Sequence, residues 1–196
     1  MEKILFDYIS QFMVLTEEEE QAIIDLALFK SFKKGTILLH ERQISNNVYF
    51  VIKGCIRCYY IVNGEERTTA FYTEAESFSP VCSINKKPSE YYVSCVEDAI
   101  ILVGNSEMDE YMFKKFPRFE TLCRVISEKL LSESQVLLDD YKISSPEQRY
   151  LNLLDTRPGL LQRVPQYQMA SFLGITPQSL SRLRNRLAKK KNKCAA

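Results

Sequence analysis

The sequence predicts an α+β fold: a helical start, an antiparallel β-roll of the jelly-roll kind, one long helix, and a C-terminal helix-turn-helix. Three observations predict it. Apolar residues recur at helical spacing before about residue 30 and again after about residue 105, with short β-branched and aromatic runs in between. Asn63-Gly64 lies between two of those runs, the residue pair that a type I′ hairpin favours. Near the C-terminus Gly174 separates two helical patterns, and the second is rich in Arg and Lys with no acid.

The elements follow in order. In "LTEEEEQAIIDLALF", Thr16 and Glu19 have the spacing of a capping box, and Ile23, Ile24 and Ala27 recur behind them as one helical face. From about 31 to 104 come "FKKGTILLH", "NNVYFVIKG", "CIRCYYIVNGEERTTAFYT" and "YYVSCVEDAIILVG". Each is a short run bounded by turn residues such as Lys34-Gly35 and Lys53-Gly54, a pattern that suits an antiparallel sandwich or closed roll. After Pro117, Phe119, Leu122, Ile126, Leu130, Leu137 and Tyr141 mark one stripe of a long amphipathic helix. That stripe could pack on its own domain or on a partner helix. "ISSPEQRYLNLLDTRPG" then starts a further helix, with Ser145 as N-cap and Pro146 at the first helical position, and Arg157-Pro158-Gly159 ends it. The expected division is residues 1–116 for the roll with its helices, 117–143 for the long helix, and 144–196 for the helix-turn-helix domain.

Composition narrows the function classes. The chain has 196 residues, 45% hydrophobic and 26% charged, which suits a soluble globular protein. No apolar run reaches the ~18 residues of a membrane span, and the N-terminal stretch lacks the pattern of a signal peptide, so a cytoplasmic protein with no membrane partner is expected. The six Cys are scattered, and Cys55 and Cys58 fall in a strand pattern that sends residues three apart to opposite faces. His40 is the single His. Neither a zinc site nor a catalytic constellation is visible, and the Gly-rich nucleotide motifs are absent. An enzyme is not expected, and no metal or cofactor is predicted.

Charge is divided unevenly. Residues 144–196 hold ten Lys/Arg and two acids, a surplus of eight positive charges. The preceding residues hold 16 bases and 23 acids, a surplus of seven negative charges. A basic C-terminal part on an acidic body suits contact with a polyanion through that part alone. A solvated basic tail would have the same charge.

The C-terminal pattern separates the two. Met169, Phe172 and Leu173 form the inner face of a short helix, Ala170 is small where another helix must cross, and Gly174 supplies the turn. Thr176 then caps a second helix that starts at Pro177. On its inner face lie Leu180, Leu183 and Leu187; on its outer face lie Gln178, Arg182, Asn185 and Lys189, flanked by Ser179, Ser181 and Arg186. Arg suits guanine, Gln and Asn suit adenine, and Ser suits either. Lys189, Lys190 and Lys191 suit phosphates. The expected partner is double-stranded DNA, read through Thr176, Pro177, Gln178, Ser179, Ser181, Arg182, Asn185, Arg186, Lys189 and Lys190.

This order of elements resembles the Crp–Fnr transcription regulators, the cyclic-AMP receptor and fumarate–nitrate regulator family. The resemblance rests most on "NNVYFVIKGCIRCYYIVNGEERTTAFY" and "MASFLGITPQSLSRLRNRL". It implies a cyclic-nucleotide-binding-like roll, a homodimer formed through the long helix, a two-fold operator read by the helix 176–190, and RNA polymerase as a candidate partner. It places Pro177, Gln178 and Arg182 at the base-facing start of the reader. Many members carry a charged residue where this chain has Pro177, so a different preferred site is expected.

The effector region departs from the family. Nucleotide-binding members show Phe-Gly-Glu and, after a short loop, Arg-Ser. Here "FSPVCS" keeps Phe78 but has Ser79 and Pro80, and Ser89-Glu90 stands where Arg-Ser would fall. A buried phosphate would lack its cation, so cyclic AMP is not the expected effector. The iron–sulfur variant needs an N-terminal Cys cluster, and no Cys precedes Cys55. Another small molecule could sit by Phe78, Ser79, Val81, Cys82, Ser83, Tyr91 and Tyr92, between that segment, the strand 91–95 and the long helix; or the roll could be a scaffold without a ligand. The alternative function is a small-molecule-sensing module that signals through a protein partner.

Overall fold

The computed structural model describes the backbone of residues 1–194 and the side chains of residues 1–189. Two helices open the chain, α1 (Glu2–Ile9) and α2 (Glu17–Leu26). The capping box forms: Thr16 Oγ1 accepts from the Glu19 amide, and the Glu19 carboxylate accepts from the Thr16 amide at 2.8 Å. That carboxylate is buried, and Arg118 Nε, 3.3 Å away, supplies its counter-charge.

Eight strands follow: β1 (Phe29–Phe32), β2 (Ile37–Leu39), β3 (Asn47–Lys53), β4 (Ile56–Val62), β5 (Glu65–Tyr72), β6 (Ser77–Phe78), β7 (Tyr92–Cys95) and β8 (Ala99–Asn105). They form two four-stranded sheets, in the orders β1-β8-β3-β6 and β2-β7-β4-β5. Asn63 and Gly64 both take positive φ, 54° and 81°, as the predicted I′ turn between β4 and β5 requires. The interior of the roll is dense: Leu39, Tyr49, Val51, Ile56, Val93 and Ile101 are almost fully buried. One face of β3 instead turns Phe50 and Ile52 toward a second core built with Leu5, Tyr8 and Ile9 of α1, the alternation that a pleated strand imposes. A one-turn helix, α3 (Val81–Asn85), interrupts the strands between β6 and β7.

Helix α4 (Ser106–Lys115) starts at Asn105, whose side chain accepts from the Glu107 and Met108 amides. The long helix α5 (Arg118–Ile143) runs 26 residues, about 39 Å at 1.5 Å per residue. Its first turns are buried through Phe119 and Leu122, while Leu131, Val136, Leu137, Leu138, Tyr141 and Ile143 are exposed by half or more. Then come α6 (Pro146–Thr156), α7 (Leu160–Arg163), α8 (Gln166–Phe172) and α9 (Pro177–Cys194). The predicted cap of α6 forms at Ser145, completed by Gln148. The chain divides into two compact units: Met1–Cys58 with Phe71–Gln135, and Tyr59–Ala70 with the residues from Val136 onward. Among the described residues no helix is long and apolar enough to cross a membrane.

Candidate functional site

The second unit is organised around the turn between α8 and α9. Met169, Ala170 and Leu173 are buried to 2% exposure or less, as the inner face of α8. Phe172, expected with them, is only half-buried. The end of α8 is a Schellman motif: the Ile175 amide donates to the Ala170 carbonyl and the Gly174 amide to the Ser171 carbonyl, both at 3.0 Å. Gly174 takes φ +72°, and a Cβ there would lie 3.1 Å from the Tyr141 hydroxyl. Only glycine fits the turn without strain. Two residues on, Thr176 Oγ1 accepts from the Ser179 amide at 3.2 Å and caps α9.

Helix α9 has two faces. Leu180 and Leu183 are buried and Leu187 is half-buried. At about 100° per residue, Gln178, Arg182, Asn185 and Lys189 lie within about 60° of one another on the opposite side. All four are exposed, as are Thr176, Pro177, Ser179 and Ser181. No acid lies on α9, so its outward surface is uniformly basic or neutral. The side chain of Lys190 lies outside the described residues, as do those of the Lys run after it.

Arg186 differs from this set. Its guanidinium pairs with the Glu147 carboxylate, in the first turn of α6. The sequence grouped Arg186 with the outward-facing residues, but 39 positions separate the pair and no local pattern reveals it. The ion pair ties α9 to α6 and masks one of its charges.

A second arginine does more. Arg149 Nη1 donates to the Tyr141 carbonyl at 3.0 Å and to the Ser144 carbonyl at 2.7 Å, where α5 ends. Its Nη2 donates to the Leu173 carbonyl at 2.9 Å, at the end of α8. The guanidinium also sits 4.4 Å from the centre of the Tyr141 ring. One planar cation thus satisfies the open carbonyls of two helix ends, which otherwise lack donors. It fixes the α8–α9 turn relative to the last turn of α5. The sequence offered no sign of it beyond a lone arginine in an amphipathic helix. In the same unit Ser171 Oγ accepts from the Thr68 amide at 2.9 Å and donates to the Glu66 carbonyl at 3.1 Å, fastening α8 to the β4–β5 hairpin.

The residues expected to form an effector pocket lie in the first unit, and the structure brings part of them together. Phe78 is buried and stacked between Tyr49, 5.1 Å centre to centre, and Tyr72, 4.5 Å. The Val81 amide donates to the Tyr91 hydroxyl at 3.0 Å, joining α3 to the start of β7. Cys82 is buried, and Ser83 Oγ donates to the Pro80 carbonyl within its own turn. Ser79 and the Val81 side chain point to solvent, and Tyr92 meets His40 edge to face. Ser89 is buried but committed: its hydroxyl donates to the Tyr91 carbonyl at 2.8 Å and its backbone pairs with Arg42 and Gln43. Glu90 is exposed. Cys55 and Cys58 are both buried, and burial pushes the Cys58 thiol up to about 12.

Residues 29–114 match the family model for the cyclic nucleotide-binding domain. No curated protein sequence matches the chain. Among solved structures, the chain is similar to FixK2 from Bradyrhizobium japonicum, with 17% identity, 84% of this chain and 86% of that one covered, and a TM-score of 0.67. It is similar to the c-di-GMP-responsive global regulator CLP of Xanthomonas campestris, with 14% identity, 90% and 93% covered, and a TM-score of 0.66. It is also similar to the catabolite activator protein of Thermus thermophilus, with 19% identity, 92% and 87% covered, and a TM-score of 0.55. The chain therefore shares the fold of these three proteins over most of its length.

Proposed function

We propose that this chain, built on the Crp–Fnr fold with a cyclic nucleotide-binding domain at residues 29–114, is a DNA-binding transcription regulator and not an enzyme. The observation that carries the reading is the outward face of α9, where Gln178, Arg182, Asn185 and Lys189 are aligned, exposed and unopposed by any acid on that helix. An α-helix of this kind fits the major groove and reads base edges with these side-chain types. Gly174 and Arg149 hold that helix in a defined pose, which base reading needs and a solvated tail does not.

The reading extends to a homodimer. Leu131 and Leu138 repeat seven apart on an exposed side of α5 and Tyr141, also exposed, follows three further on, the spacing of a two-stranded coiled-coil seam. Covering that stripe with a second copy would present two reader helices to a two-fold operator. Cyclic AMP is not its effector. The committed Ser89 supports this, together with an exposed carboxylate at Glu90 where a cation would be needed.

Fluorescence anisotropy tests the DNA reading directly. The protein is titrated into a labelled duplex from upstream of its own coding sequence, against a scrambled duplex, at moderate salt. A preference of at least 100-fold supports the proposal, and equal affinity for both duplexes rejects it.

A further inference from the structure

We propose that the first unit holds a binding site for a neutral, largely apolar small molecule, in a cavity of ≈ 260 Å³ between the N-terminal helices, the β3–β8 face, α4 and the start of α5. Leu5 and Ile9 of α1, Met112 of α4, and Leu122 and Ile126 of α5 line it. Phe78 and the segment 79–83 are not part of its lining, although Ser77 and Tyr49, their neighbours, are.

Size, lining and polarity each point to the ligand. The site is an open apolar cleft, not a sealed void, so a small molecule can reach it from solvent. An apolar cavity of about 150 Å³ is known to stay dry and take up benzene, and scaling from that gives room here for about ten non-hydrogen atoms. The polar groups are few. Tyr8 and Ser77 each bring a hydroxyl group to the wall. Cys123 contributes a thiol that burial and the neighbouring Asp109 keep protonated, up to about 11. Asp109 is the one charged residue of the lining, and no Lys, Arg or His is part of it. An anion would meet the Asp109 carboxylate and no cation among the lining residues, which disfavours it. A bicyclic ring bearing a single hydroxyl fills the volume and finds Tyr8 and Ser77 as hydrogen-bond partners.

The inference does not depend on DNA binding, and its test is separate. The full chain is titrated with 2-naphthol by calorimetry, with 2-naphthalenesulfonate as the anionic counterpart. One site per chain is expected, with the sulfonate at least tenfold weaker. Saturating 2-naphthol should slow alkylation of Cys123 at least fivefold, followed by mass spectrometry on the peptide that contains it. Ile126→Trp should fill the cavity and abolish binding. The alkylation measurement on the unmodified protein decides the matter if that variant does not fold. Absence of saturable binding, equal binding of the sulfonate, or Cys123 alkylation unchanged at saturation would each overturn the proposal.

Discussion

Replacing Arg149 with methionine removes the cation that joins the end of α5 to the end of α8 while keeping most of its stem. Three hydrogen bonds disappear, to the carbonyls of Tyr141, Ser144 and Leu173. Each is worth about 1 kcal/mol net, more when the donor is charged, although the freed carbonyls regain water where they are exposed. The stacking on Tyr141 adds about 0.5–1 kcal/mol. The expected loss is about 3 kcal/mol. For a domain of this size that lowers the melting midpoint by roughly 6–12 °C. Differential scanning calorimetry measures it, and anisotropy on the preferred duplex should show weaker binding, because the reader loses its fixed pose. Arg149→Lys keeps the charge but not the planar fork, and should recover less than half of the loss. A midpoint within 2 °C of the parent, with unchanged DNA affinity, would refute the role assigned to this residue.

Three further predictions follow from the same structure. Glu147→Gln releases Arg186 and removes an acid from beside the reader, so DNA affinity should rise several-fold and the salt slope steepen by about one unit; an unchanged slope would show that Arg186 does not reach phosphate. Cyclic AMP at 1 mM should leave the melting midpoint within 1 °C, whereas a site with a Kd near 10 μM would stabilise the protein by about 2.7 kcal/mol and be plain in the same scan. The buried Cys58 thiol favours its neutral form and is pushed up to about 12 from an ordinary value of 9.0. Its contribution is therefore complete below pH 9 and is lost as the pH rises toward 12. Going from pH 9 to pH 10 should cost the parent about 1 kcal/mol that Cys58→Val does not lose, as chemical denaturation at the two pH values would report.

What could be read ahead of the structure was what neighbouring residues decide among themselves. Thr16 with Glu19, Ser145 with Pro146, Asn63 with Gly64, and Gly174 with Thr176 each carry their backbone signal within a few positions, and each forms as expected. The α9 wheel is equally local, which is why its exposed stripe was legible. Short elements were not: β6 has two residues, and α3 and α7 have five and four, too few for a period to show. Long-range partners were not legible either. Arg186 meets Glu147 across 39 positions, and Arg149 reaches Leu173 across 24. The Phe78 stack draws on three strands, and the apolar cavity on helices and strands from residue 5 to residue 126. The missing nucleotide-binding groups around Ser79 and Glu90 could be seen as absences, but the aromatic stack on Phe78 depends on tertiary packing.

The central claim is that α9 reads base sequence as one half of a two-fold pair. Selection from a random-sequence DNA library with the full chain tests it most directly, run in parallel with Arg182→Ala. The parent should enrich two inverted half-sites about one helical turn apart. Arg182→Ala should lose its preference at one base pair of each half-site, a cost of about 1–3 kcal/mol, while retaining the flanking positions. Recovery of no motif by the parent, or of an identical motif by both proteins, would contradict the account.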